Sequence, residues 1–203
     1  MFGAVVLVAA VALQSTAPLA LRVRVFDGTT DVTAESRVKI FKAGDRQNPV
    51  GELGGTAADA IPVTAGLYDA QAIRERDGRV VSIRWAERLV VMPYVDEGGQ
   101  HLEVVNFRQG FGALEVRARE GAIPDVAIFT AGNHQQEAGR RLDLGSYALF
   151  VVPAGRYDLA VRRGAQTTWH PDIEVPRDHT RLWLVPERDA NITRGVPSAA
   201  GGR

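Results

Sequence analysis

Val152-Pro-Ala-Gly-Arg-Tyr-Asp-Leu-Ala-Val161 repeats an earlier stretch of the same chain, Val63-Thr-Ala-Gly-Leu-Tyr-Asp-Ala-Gln-Ala72. Both copies carry Ala-Gly-x-Tyr-Asp and run on into apolar sequence. The likeness continues upstream, where Val38-Lys-Ile-Phe-Lys-Ala-Gly-Asp45 matches Val126-Ala-Ile-Phe-Thr-Ala-Gly-Asn133. Before that, Leu21-Arg-Val-Arg-Val-Phe-Asp-Gly28 matches Leu114-Glu-Val-Arg-Ala-Arg-Glu-Gly121. Each copy closes on an apolar run, His101-Leu-Glu-Val-Val-Asn-Phe107 and His179-Thr-Arg-Leu-Trp-Leu-Val185. Four matches in one order define a tandem repeat, and such a repeat fixes the architecture before any local reading. It predicts two domains, 21–107 and 112–186, joined by the short Arg108-Gln-Gly-Phe-Gly112.

The local pattern is that of strands. Leu21, Val23 and Val25 fall on one face with Arg22 and Arg24 on the other, a period of two. Asp77-Gly78, between Leu67–Arg74 and Arg79–Trp85, is a strong short-range hairpin signal. Leu89–Met92 reads as a separate strand stopped by Pro93. No stretch holds a 3.6-residue period over three turns. Many short strands with closely spaced turns predict an all-β chain of antiparallel Greek-key sandwiches.

The repeated pentapeptide has its own chemistry. Gly66 and Gly155 permit a positive φ at the turn entering a strand. Tyr68 and Tyr157 can bury the ring and place the hydroxyl on nearby backbone, as a tyrosine corner does. Asp69 and Asp158 follow in the same motif. An alternating strand, a glycine stop, a second strand and then Pro/Thr-Ala-Gly-x-Tyr-Asp resemble the transthyretin-like (prealbumin-like), or carboxypeptidase-regulatory-like, β-sandwich. The likeness covers nearly all of 21–186, and the second copy is closer because the first has Thr64 where Pro153 stands. The resemblance implies architecture, and non-catalytic modules of exported bacterial proteins, rather than an activity.

Composition narrows the function classes. The 203 residues hold 24 Lys+Arg against 24 Asp+Glu, so there is no basic field for nucleic acid or an anionic membrane. The absence of cysteine excludes disulfides, thiolate metal sites, a cysteine nucleophile and a lipoprotein anchor. Ala4–Leu13 is an apolar run of signal-peptide length followed by small residues, although no Lys or Arg precedes it. Residues 1–20 are therefore expected to be a signal peptide or N-terminal anchor, the only membrane contact if uncleaved, and the protein periplasmic or secreted. Residues 187–203 are expected to be a disordered tail.

Candidate site residues are few. Trp85 and Trp169 sit at corresponding places in the repeat and Trp183 in the last strand; indole rings at a sandwich surface can stack on sugars. Arg76, Asp77 and Arg79 form a charged hairpin tip. His101 and His179 precede the last strand of each copy, which points to a structural role. His170 and His179 with Asp172 or Asp178 come nearest to a metal-ligand set, yet no metal or cofactor is expected. The enzymes of the resembled superfamily carry a C-terminal Tyr-Arg-Gly-Ser or a His-x-His pair, and neither occurs here. The expected function is a non-catalytic binding or assembly module of the bacterial envelope, touching a protein partner through loops and strand edges. The alternatives are a carbohydrate-binding module using the tryptophans, and a transthyretin-superfamily enzyme.

Overall fold

A computed structural model describes residues 19–54, 60–92, 100–119 and 121–186. Among them the fold is all-β, with a single 3-10 turn at Thr33–Glu35. The first half contributes β1 (Leu19–Asp27), β2 (Thr30–Asp31), β3 (Ser36–Lys42), β4 (Pro49–Gly54), β5 (Ile61–Val63), β6 (Gly66–Arg76), β7 (Arg79–Val91) and β8 (Gln100–Asn106). The second contributes β9 (Phe111–Ala118), β10 (Asp125–Thr130), β11 (Leu142–Asp143), β12 (Tyr147–Pro153), β13 (Gly155–Arg163), β14 (Gln166–Val175) and β15 (Thr180–Val185).

Each half builds two sheets. In the first, β4-β3-β6-β7 form one, while β1 pairs with β2, β5 and β8 in the other. In the second, β10-β13-β14 form one and β11-β12-β9-β15 the other. Alternation explains the faces. Leu21, Val23 and Val25 share a cluster with Val38, Ile40, Tyr68, Ala70, Ala72, Leu89 and Val91, so the apolar faces of both first-half sheets meet in one core. Leu114, Val116, Ile128, Phe150, Leu159 and Val175 make the corresponding core of the second half.

The first and last strands of each half pair in parallel, β1 with β8 and β9 with β15, where the sequence predicted antiparallel sheets throughout. The reason is the connection: β8 follows β7, a strand of the other sheet, and no hairpin dictates its direction. The parallel registers also revise the histidines. Leu21 pairs with His101, whereas Leu114 pairs with Arg181, so His101 corresponds to Arg181 and not to His179.

The two halves also pack on each other. Phe26, Leu102 and Val104 cluster with Ala113, Tyr147, Leu149 and Val151. This third core explains why β9 is buried on successive residues instead of alternate ones. Beside it lies a buried polar group. His101 Nε2 is 2.9 Å from Glu103 Oε1, the Thr180 amide donates to Glu103 Oε2 at 3.3 Å, and Glu115, only 1% exposed, pairs with Arg117. Arg84 on β7 reaches Asp178 of the second half at 2.8 Å.

One boundary differs from the sequence reading. β1 begins at Leu19, which pairs with Val63, so Leu19 and Ala20 belong to the sheet and not to the leading segment. Residues 1–18 and the tail 187–203 lie outside the described residues.

Candidate functional site

Asp69 and Asp158, the last residues of the repeated pentapeptide, organise the same construction in each half. Asp69 Oδ2 accepts the Gly44 amide at 3.2 Å and Oδ1 the Arg88 amide at 2.9 Å. Asp158 Oδ2 accepts the Gly132 amide and Oδ1 the Asp172 amide, both at 2.9 Å. Both carboxylates are buried. Each ties the turn after one strand (β3 or β10) to a bulge in another (β7 or β14). The bulge residues Arg88 and Asp172 have φ of 58° and 60°, and register shifts fall at the same step, between Tyr68 and Ala70 and between Tyr157 and Leu159. Two backbone amides hold Asp158 well below the usual carboxylate range, with His134 adding to the effect.

The tyrosines beside these aspartates turn back on their own entry loops. Tyr68 Oη donates to Thr64 O at 2.8 Å and Tyr157 Oη to Pro153 O at 2.6 Å. Burial raises Tyr157, whereas Tyr68 is lowered overall: burial opposes ionisation, but hydrogen bonds from Lys42 and Thr64 outweigh it. The glycines differ. Gly66 has a φ of 157°, and Gly155 is not at positive φ, so backbone freedom does not account for glycine in the second copy.

Above each aspartate stands an aromatic stack. Trp85 packs on Phe41 with ring centroids 5.3 Å apart, and the Arg46 guanidinium lies 4.4 Å over its ring. Trp169 packs against Phe129 at 5.2 Å and is covered by His134, stacked at 3.8 Å and 7°. Arg46 and His134 occupy equivalent places, two residues after the Ala-Gly of each turn. Both also approach the motif carboxylate, Arg46 Nε at 3.8 Å from Asp69 and His134 Nε2 at 2.7 Å from Asp158. Trp85 and Trp169 therefore lie on the outer faces of their sheets, each with one ring face covered by a cation or an imidazole. Trp183 packs at the margin of the second core, edge-on to His170 at 4.8 Å. Burial lowers His170, with Arg163 adding to the effect. His179 is exposed, and no group of three metal-binding side chains occurs among the described residues.

Sequence reasoning did not find the bulges, Arg46 or His134. The signal was present as Trp85-x-x-x-Leu89-x-Val91 and Trp169-x-x-x-Ile173-x-Val175. In an unbroken strand a residue four positions on shares the face of the tryptophan. Leu89 and Ile173 point instead into the cores, which requires one extra residue in between. Leu89–Met92 is accordingly not a separate strand, since β7 runs without a break from Arg79 to Val91.

The hairpin tip forms at Asp77-Gly78, with φ of 52° and 71° and Arg76 paired to Arg79. The tip leads into β7, which among the described residues pairs with β6 alone and has no strand on its other edge. Val80, Val81 and Ile83 there are 54%, 52% and 56% exposed, and Val90 and Met92 are exposed further along. The corresponding edge strand β14 presents Thr167, Thr168 and Trp169, and contains Pro171. Near the far end of β7, an open groove of about 540 Å³ is lined by Ala43, Gly44, Arg46, Leu67, Asp69, Glu87 and Arg88.

No protein-family model matches the sequence, and no curated protein does. Solved structures similar to it include the TIE protein of Bacillus anthracis, 15% identical over 82% of this chain with a TM-score of 0.28. The chain spans about a third, 33%, of that protein's length. Another is the C-terminally truncated tip fimbrial protein Mfa3 of Porphyromonas gingivalis, 11% identical over 85% of this chain and 97% of its own, with a TM-score of 0.33. At such scores neither likeness bears on topology or activity.

Proposed function

We propose that this chain is a non-catalytic binding or assembly module, exported to the bacterial envelope and built of two tandem transthyretin-like sandwiches. In this reading it engages an envelope protein by accepting an extended segment along the free edge of β7. The observation that carries the proposal is the contrast between the two equivalent edge strands. β14 is blunted by Pro171, which offers no amide. β7 has thirteen residues, no proline or lysine, and β-branched Val80, Val81 and Ile83 facing solvent. A strand of that kind is a template for pairing, with main-chain bonds giving affinity and alternate side chains giving specificity. The repeated Tyr-Asp construction and the two sheets sharing one core in each half support the sandwich assignment.

The glycan reading has less support, because Arg46 and His134 already cover a face of Trp85 and of Trp169 and Trp183 packs on the core. The test is photo-crosslinking in cells from position Ser82 on β7 and, as control, from Thr168 on β14. One dominant protein captured from Ser82 alone, and lost in the Val81→Pro and Ile83→Lys variants, is the expected result. Equal capture from both edges, or none from folded protein in the envelope fraction, would overturn it.

A further inference from the structure

The free edge of β7 is complementary to itself. Its sequence, Arg79-Val-Val-Ser-Ile-Arg-Trp-Ala-Glu-Arg-Leu-Val-Val91, is a strand of thirteen residues. Two copies of one strand pair antiparallel across a two-fold axis, and the axis falls on one residue, which then lies opposite itself. A register centred on Arg84, Glu87 or Arg88 sets a charge against its own copy, and one centred on Ala86 sets Arg84 against Arg88. Like charges directly opposite are unfavourable. Registers centred on Ser82 or Trp85 bring no opposite charges together. The register centred on Ile83 sets Arg79 against Glu87 twice, once on each side of the axis. It also sets Val81 against Trp85, Val80 against Ala86 and Ile83 against Ile83, and aromatic and β-branched pairs of this kind stabilise a sheet. We propose that the segment this edge accepts is β7 of a second copy of this chain, in a symmetric dimer centred on Ile83.

The surroundings of the strand are compatible with that pairing. Between its two register shifts against β6, β7 runs regularly from Ser82 to Ala86, and the axis falls inside that stretch. Val80, Val81 and Ile83 are each more than half exposed, so there is apolar surface for a second copy to cover. Arg79 and Glu87 are both exposed. Glu87 pairs with Arg46 of its own chain, and a carboxylate has lone pairs enough for two guanidinium groups. Arg84, which comes opposite Ser82, is already held by Asp178 of its own chain. Exposed ion pairs add little to affinity, so the Arg79–Glu87 pairs select the register while main-chain bonds along the edge hold the copies together. Each copy contributes the same edge, so pairing consumes it in both and assembly closes at two. β14 does not supply a second edge of this kind, because Pro171 interrupts its amides.

The inference rests on the reading of β7 as a pairing edge and names what pairs with it. The chain has no cysteine, so a single introduced thiol is a specific probe. Residues directly opposite in an antiparallel pair have Cα atoms about 4.5–5.5 Å apart, within reach of a disulfide. The two Val80 positions would lie about 20 Å apart along the edge. The purified full chain is expected to sediment as a dimer, and mild oxidation to crosslink Ile83→Cys but not Val80→Cys. Arg79→Glu and Glu87→Arg are each expected to weaken dimerisation about fivefold or more, and the double variant to restore it. A purely internal role of Glu87 beside Arg46 would not be rescued from Arg79. A monomer at every concentration, crosslinking of Val80→Cys as fast as Ile83→Cys, or charge reversal without rescue would overturn the inference. A monomer that still captures another protein from Ser82 in cells leaves the reading of β7 as an edge standing. A chain that neither dimerises nor captures anything from Ser82 removes both.

Discussion

Tyr157 holds the start of β13 through one bond, its hydroxyl donating to the Pro153 carbonyl while its ring lies in the second core. Tyr157→Phe keeps the ring and removes the donor. The expected loss is about 1 kcal/mol, the usual net worth of such a bond, read from urea unfolding. Tyr68→Phe is expected to cost at least as much, because that hydroxyl also accepts from Lys42 Nζ and contacts Thr64 Oγ1, and those groups lose a partner with it. Both tyrosines were legible in the repeat. Asp69 and Asp158 were legible as parts of a motif, though not as acceptors for amides from two separate strands, since those amides come from turns and bulges distant in sequence. Arg46 and His134 were hidden for a related reason: they fall just past the matched segments, and an arginine opposite a histidine does not read as a repeat.

At the scale of the strand, β9 is the element most constrained by its neighbours. Gly112 pairs with Val152, and a Cβ placed there would lie 2.0 Å from the Pro176 carbonyl oxygen. Backbone cannot rotate away as a flexible side chain can, so Gly112→Ala is expected to cost about 1–3 kcal/mol, seen as a lower unfolding midpoint. In sequence, Gly112 looked like part of a linker. Its role follows from the close approach of the segment before β15, which no local pattern announces. β7 teaches the complementary lesson. Its hairpin turn was readable from Asp77-Gly78, but its length was not, because the bulge at Arg88 interrupts the alternation without ending the strand.

At the scale of the molecule, the junction of the halves buries charge. Burial pushes the Glu115 carboxyl up, opposed by Arg117 and His101 and reinforced by the neighbouring Glu103. A carboxyl whose value rises on folding takes up a proton in the fold. Its contribution therefore favours the folded state below the ordinary value of 4.5, and is lost as pH rises through the higher folded value. Against Glu115→Gln, which cannot titrate, the native protein is expected to gain relative stability as pH falls from 8 to 5. Thermal unfolding of the two at both pH values reads this, and parallel curves would count against it. The junction itself was visible only as a linker too short to be flexible. That the two halves share a core of Phe26, Leu102, Val104, Tyr147 and Leu149 depends on the outer faces of two sheets meeting.

The sequence by itself determined that the chain is all-β, where the Tyr-Asp motif repeats and which residues alternate toward a core, since period-two patterning and turn chemistry are local properties. Tertiary structure alone decided the parallel pairing of first and last strands, the bulges that turn Leu89 and Ile173 inward, the covering of Trp85 and Trp169, and the burial of Glu115. Each of these joins residues far apart along the chain. Their cost or benefit exists only once the backbone has brought them within a few ångströms, and no window of sequence contains both partners.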